Sequence, residues 1–215
     1  MVNRSCATLL LTPIPDLEFN AAAHRYRYKG DWLPHSVTQI ASPKTPLEME
    51  RINATKDGPD GWMARGNAVH EALEKHVLGK GVVYDTRWGD WVNPLCDHWL
   101  FQGHKVLATE HALVSPKWRV AGSFDGLIET AKGSLVLYDL KTVSSAKAAK
   151  TREAARAQLG AYSLMLLDNY DISVNRCVTV ISGPGVVEVK TDVPDECHIA
   201  WLDALDNWKL LQPEW

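Results

Sequence analysis

The chain has 215 residues, 46% apolar and 23% charged, the balance of a soluble globular protein and not of a disordered or fibrous one. Its 23 basic and 26 acidic side chains leave a net charge of −3, so bulk charge does not point to nucleic acid, although a local basic stripe would suffice for it. No stretch approaches the ~20 apolar residues of a membrane-spanning helix, and the first twenty residues, with one Arg, carry no expected secretory signal.

Cys6, Cys96, Cys177 and Cys197 are scattered without a C-x-x-C pair, which is expected for reduced thiols in a cytosol-like compartment. Residues 18–40 alternate around His24, Tyr26 and Tyr28, and Lys29-Gly30-Asp31 reads as the turn of a β-hairpin ending in Trp32 and Leu33. Residues 41–61, rich in Pro, Gly and charge, predict a short helix and a mobile loop. Trp62 to Leu78 predicts a helix with Gly66, Val69, His70, Leu73 and Val77 on one face. Residues 79–94 read as loop and 95–103 as helical. Three strands are expected at 105–115, 118–129 and 134–141, with Gly133 marking a hairpin. Ser144 or Ser145 is expected to cap one long helix reaching Leu167. Two further strands fit 176–182 and 185–190, around Gly183-Pro184-Gly185. Asp192 or Pro194 then opens an amphipathic helix carrying Ile199, Leu202, Leu205 and Trp208. A β-rich centre flanked by helices predicts an α/β (α+β) fold, and the length predicts one domain over 1–215.

The chemistry concentrates in four places. In Leu135-Val136-Leu137-Tyr138-Asp139-Leu140-Lys141, Asp139 and Lys141 share a strand face; alone, they read as a surface ion pair. Asp125 lies in the expected neighbouring strand, flanked by Gly122 and Gly126, which leave room beside the acid; alone, Asp125-Gly126 reads as a turn. Two converging carboxylates suit Mg²⁺ or Mn²⁺. His70 sits on the inner face of its helix, where a lone His is ordinarily a core residue. Gln158 and Tyr162 share a helix face at i, i+4 spacing.

In this order, Gly66-x-x-x-His70, Asp125, Asp139-x-Lys141 and Gln158-x-x-x-Tyr162 resemble the PD-(D/E)XK nuclease superfamily, and within it the RecB-type exonuclease branch. His24-x-Tyr26 and Leu33-Pro34-His35-Ser36-Val37-Thr38-Gln39-Ile40 also resemble phage-encoded and mitochondrial genome-maintenance members, in which a hairpin and an S-V-T-x-I segment precede the nuclease core. Phe124 stands where the family name has Pro, Asp139 where many members have Glu, and His35 interrupts the P-S-V-T string. With only Cys177 and Cys197 near the C-terminus, no iron–sulfur cluster is carried over.

The resemblance implies a restriction-endonuclease-like core: a central mixed β-sheet flanked by helices over 62–190, preceded by an N-terminal hairpin and loop region (1–61) and followed by a helix (191–215). It implies that Asp125, Asp139 and the Leu140 carbonyl ligate the metal, with His70 adding a nitrogen ligand or positioning a second metal. Lys141 would contact the attacking water or the scissile phosphate, and Gln158 and Tyr162 would orient Lys141 and the DNA backbone. Glu110 is left open between a supporting role and a plain strand end. Lys147, Lys150, Arg152 and Arg156 form, with Lys141, a basic stripe for DNA phosphates or else a solvated helix face. Tyr26, Tyr28, Trp32 and Trp62 are candidates for stacking on bases or for packing; Trp201, Trp208 and Trp215 are expected to pack. The expected activity is Mg²⁺- or Mn²⁺-dependent exonuclease action at DNA ends, in phage or bacterial replication, recombination or repair. A cytoplasmic location follows, with a helicase, recombinase or single-strand-binding protein as partner. A flap endonuclease on the same core, or an inactive nuclease fold serving as a DNA-binding subunit, are the alternatives.

Overall fold

The computed structural model describes residues 11–58 and 61–212; Cys6 and Trp215 lie outside the described residues. The N-terminal region is a three-stranded antiparallel meander, β1 (Leu17–Asn20), β2 (Arg25–Tyr28) and β3 (Asp31–Trp32), one strand more than the expected hairpin. Lys29 and Gly30 turn β2 into β3, both with positive φ (51° and 89°), as two-residue hairpin loops require. β4 (His35–Ser36) leaves the meander for the main sheet, and Ser36 caps α1 (Val37–Ala41) in a reciprocal box with Gln39. Val37 and Ile40 are fully buried. α2 (Pro46–Ala54) buries none of its side chains, and α3 (Trp62–Val77) follows the predicted span.

The expected loop at 79–94 contains a 3₁₀ turn (Thr86–Trp88) and most of α4 (Gly89–Cys96), whereas 95–103 holds only a 3₁₀ turn (Trp99–Phe101). Gly89 and Pro94 read as breakers, yet Pro94 is tolerated inside α4. The Asp90 carbonyl, which Pro94 has no N–H to satisfy, accepts the Gly185 N–H at 2.9 Å instead.

The main sheet contains β5 (Lys105–Ser115), β6 (Val120–Glu129), β7 (Leu135–Thr142), β8 (Arg176–Gly183) and β9 (Val186–Asp192). Its order is β4-β6-β7-β8-β9, with β5 along the other side of β6; β7–β8 and β4–β6 are parallel and the other pairs antiparallel. One long helix over 144–167 is not formed. α5 (Ala146–Thr151), capped by Ser145, is separated from α6 (Arg156–Tyr170) by an extended link. Local sequence there favours helix, but tertiary bonds override it: the Ala155 N–H donates to Thr179 Oγ1 at 2.8 Å, and Lys190 Nζ donates to the Arg152 carbonyl.

α7 (Pro194–Leu211) buries Cys197, Trp201 and Leu205 and half-buries Trp208, while Ile199 and Leu202, expected on the apolar face, are 61% and 45% exposed. The i, i+4 stripe 197/201/205 wins because Gly160 brings α6 backbone-to-backbone against it: a Cβ there would lie 1.9 Å from the Cys197 carbonyl oxygen.

α1, α6 and α7 cover one face of the sheet, packing on Leu113, Phe124, Leu127, Leu137 and Cys177. α3 and α4 cover the other, on Ile128, Val136, Tyr138, Leu140, Val178 and Val180. β7 therefore sends Val136, Tyr138 and Leu140 one way and Leu137, Asp139 and Lys141 the other. Burial of each such Leu contributes about 1.5–3 kcal/mol, which offsets the cost of placing Asp139, 1% exposed, in the same layer. The β6–β7 ladder ends at Gly126–Tyr138, and β4 takes up β6 again at Val120 and Ala121. The strands fork between those points, and Asp125 sits at the fork.

Candidate active site

Beyond the last ladder pair the Asp125 carboxylate substitutes for a backbone partner: its Oδ2 accepts the Leu140 N–H. Its Oδ1 lies 3.3 Å from His70 Nδ1, presented by α3. The pairs Thr109–Gly126 and His111–Phe124 put Glu110 opposite Asp125, and Glu110 Oε1 is 3.6 Å from the same His70 nitrogen. Glu110 has φ +46°, a left-handed conformation that costs energy for a non-glycine residue and gathers at functional sites. One ligand atom from each of His70, Glu110 and Asp125 lies within 4.8 Å of the others. One imidazole nitrogen and hard carboxylate oxygens at that spacing fit a divalent cation. Burial works against a charge on His70, but Asp125 and Glu110 outweigh it and lift its pKa to about 10. Burial likewise opposes charge on Asp125, and His70, Lys141 and the Leu140 N–H overcome it and hold the carboxyl below its usual range.

A second group adjoins the first. Lys141 Nζ pairs with Asp139 Oδ2 at 2.8 Å and donates to Gln158 Oε1 at 3.0 Å; Gln158 Nε2 donates to the Tyr162 hydroxyl at 3.4 Å. β7 and α6 thus form the expected chain Asp139–Lys141–Gln158–Tyr162. Burial raises the Asp139 carboxyl to about 6, with the Asp125 charge adding and Lys141 opposing. Tyr162 is 1% exposed, so it orients Gln158 but does not reach a DNA backbone, contrary to the sequence expectation.

The glycines also have a different use from the one expected. A Cβ on Gly122 would meet the Tyr162 hydroxyl at 2.9 Å, and one on Gly126 would come within 2.1 Å of the Tyr138 ring. They make room for tyrosines, not for a ligand beside Asp125. Gly126 lies within β6, so Asp125-Gly126 is no turn. A Cβ on Gly66 would meet only Thr142 Oγ1, at 3.8 Å.

A cleft of about 1300 Å³ opens over both groups, lined by His70, Glu110, Leu140, Lys141 and Gln158, by Thr38 and Gln39 of α1, and by Trp62, Met63 and Arg152. The basic stripe is divided by the break between α5 and α6. Arg152 lines the cleft, Arg156 pairs with Asp192 at 2.6 Å, and Lys147 and Lys150 project to solvent from α5. Of the aromatic candidates, Trp62 lines the cleft at 38% exposure. Tyr26 is buried with its hydroxyl 3.0 Å from Ser123 Oγ and does not serve for stacking. Trp32 stands between Arg25 and Arg27, whose guanidinium carbons are 5.2 and 5.3 Å from its ring centre. Trp201 is core and Trp208 packs against His35. Glu110, left open by the sequence, is the third member of the candidate ligand cluster; it is the one acid of β5. Glu74, which accepts a bond from Thr109 Oγ1 at 3.4 Å and lines the cleft, carried no signal.

The family model of the PD-(D/E)XK nuclease superfamily matches residues 87–195. The chain belongs to the PD-(D/E)XK nuclease superfamily. Among solved structures it is similar to a candidate exonuclease from Eubacterium rectale, with a TM-score of 0.50 and 12% identity over 80% of this chain and 76% of that one. It is more distantly similar to the protein SSO0001, with a TM-score of 0.36 and 15% identity over 69% and 71% of the two chains. Comparison with curated proteins finds no match. Among the described residues no helix is long and apolar enough to cross a membrane.

Proposed function

We propose that the chain is a single-domain, divalent-metal-dependent DNA exonuclease. The observation that carries this reading is the His70–Glu110–Asp125 cluster, of which His70 and Glu110 line the same cleft as Lys141 of the Asp139–Lys141 pair. His70, Glu110 and Asp125 would hold the metal, with Asp139 and the Leu140 carbonyl completing the set; we assign it as Mg²⁺ or Mn²⁺. Bound there, such an ion lowers the pKa of water and offsets charge on the phosphoryl oxygens. Lys141, fixed by Asp139 and Gln158, presents its ammonium to the attacked phosphate, where it acts on charge that grows in the transition state. Gln158 and Tyr162 keep that ammonium from swinging away. The water gives up a proton to solvent as its oxygen bonds to phosphorus, the bond to the leaving sugar oxygen breaks, and that oxygen takes up a proton from solvent.

The choice of exonuclease over flap endonuclease rests on the resemblance of residues 20–190 to the RecB-type branch. The same resemblance supports a role in phage or bacterial DNA replication, recombination or repair in the cytoplasm, beside a helicase, recombinase or single-strand-binding protein. The test is a time course on end-labelled linear and closed circular single-stranded DNA with Mg²⁺, Mn²⁺ or EDTA. Loss of linear DNA alone, with the metals alone, is expected. Cutting of the circle would establish endonuclease action instead, and no cutting under any condition would overturn the reading.

A further inference from the structure

A second groove, of about 900 Å³, starts where the first cleft ends. Lys141, Gln158, Arg152 and Ser42 line both, so the lysine stands at the junction of two connected channels. The two differ in charge. The metal-side cleft is mixed, with Glu71, Glu74 and Glu110 against Lys44, Lys141 and Arg152. The second groove carries Arg152, Arg156 and Lys190 over a floor of Ala154, Ala155 and Ala157. Of its two acids, Asp192 is neutralised by Arg156 at 2.6 Å, leaving Glu153 against Arg152 and Lys190. Lys190 is tied through Nζ to the Arg152 carbonyl, so it braces the link between α5 and α6, while Arg152 is exposed and lines both the cleft and this groove.

Resting on the nuclease reading above, we propose that this groove holds the phosphates of the strand on the far side of the scissile bond, so that the product leaves as a short oligonucleotide and not as a mononucleotide. A strand whose phosphate lies at Lys141 can run on into this groove, where, among the described residues and with Arg156 and Asp192 offsetting each other, Arg152 and Lys190 outnumber Glu153. Its volume lies in the upper part of the ~300–1,000 Å³ range that drug-sized ligands occupy, which is room for more than one nucleotide. The backbone polyanion pairs with guanidinium and ammonium groups without regard to base sequence, and the alanine floor lets a sugar–phosphate chain lie close.

The experiment uses the full chain and a labelled single-stranded oligonucleotide, with wild type, Arg152→Gln, Lys190→Gln and the double variant. Products are sized on denaturing gels with Mg²⁺ or Mn²⁺, and binding is followed in Ca²⁺ against salt concentration. Wild type is expected to release first products longer than one nucleotide. The double variant is expected to bind about tenfold more weakly, to lose about 1.4 from its log–log salt slope, at ~0.7 for each single-strand phosphate contact, and to yield shorter first products. Arg152→Lys is expected to restore both binding and product length. Mononucleotides as the first wild-type products, or unchanged affinity and salt slope in the double variant, would overturn the proposal. If the chain cuts no DNA, the nuclease reading fails and the product-length claim with it, while the binding comparison in Ca²⁺ still decides whether the groove holds a strand.

Discussion

The two halves of the site are built from the same few strands yet stand in opposite electrostatic conditions. In one, His70, Glu110 and Asp125 meet at a fork in the sheet, where a single protonated imidazole faces two carboxylates. In the other, Asp139 and Lys141 already balance each other and are held by Gln158 and Tyr162. The first half carries an excess of carboxylate that a cation would offset, whereas the second pairs one acid with one base. In the proposed mechanism the first half supplies most of the metal's ligands and the second, through Lys141, acts on the substrate.

The largest effect is expected at Asp125, which belongs to both fold and ligand set. Asp125→Ala should lower cleavage about a thousandfold, the equivalent of several kcal/mol. It should also cost about 1–3 kcal/mol of stability, because the buried Leu140 N–H loses its acceptor; denaturant melts and single-turnover rates check the two. Asp125→Ala cutting at the wild-type rate would break the division at its root.

Lys141→Ala should lower single-turnover cleavage about a hundredfold with DNA affinity in Ca²⁺ reduced only slightly, since its charge acts mainly in the transition state. Cleavage retained within about threefold would reduce the Asp139–Lys141 pair to a structural one.

His70 sharpens the comparison through pH. Its pKa of about 10 means that near neutral pH a metal ion must displace its proton, so metal binding should release close to one proton. Calorimetry in buffers of different ionisation enthalpy measures this, and the release should fade as pH rises through about 10. In the metal-free protein the folded pKa lies above the ordinary 6.5, so this histidine's stabilisation is complete below about pH 6.5 and is lost as pH rises toward 10. A thermal stability flat across that window would remove the ion pair from the account.

The packing supports come last. Gly126→Ala drives a methyl into the Tyr138 ring and should cost about 1–3 kcal/mol, read from a melt. Tyr162→Phe removes a single bond to Gln158; about 0.5–1.5 kcal/mol of stability and a modest loss of turnover are expected. A turnover loss as large as that of Lys141→Ala would show that the hydroxyl acts directly.

Much of this was legible without coordinates. Strand-like runs marked β5, β6 and β7, with Gly133 punctuating the last gap, and strand geometry put Asp139 and Lys141 on one face because successive side chains alternate. The i, i+4 pair Gln158 and Tyr162 was legible from helix spacing. Less was legible where backbone groups find remote partners. Nothing local marks the α5–α6 break, which Thr179 and Lys190 impose from β8 and β9, or α4, where Gly185 supplies the bond Pro94 cannot. The partners of Gly122 and Gly126 are rings from α6 and β7, so the sequence showed two small residues without showing what needed the space.

What the sequence by itself determined is the set of chemical groups and the face each presents, because side-chain identity and strand or helix period are local properties. What only the tertiary structure decided is which groups share a charge. Asp125 and Asp139 looked equivalent as two acids on neighbouring strands. The fork after Gly126–Tyr138 gave Asp125 to His70 and Glu110, whereas Asp139 kept the lysine that strand spacing already set beside it, and the approach of α6 added Gln158 to that lysine. Coulomb interactions at 3 Å depend on positions that strands, helices and their crossings fix together, and no local pattern encodes them.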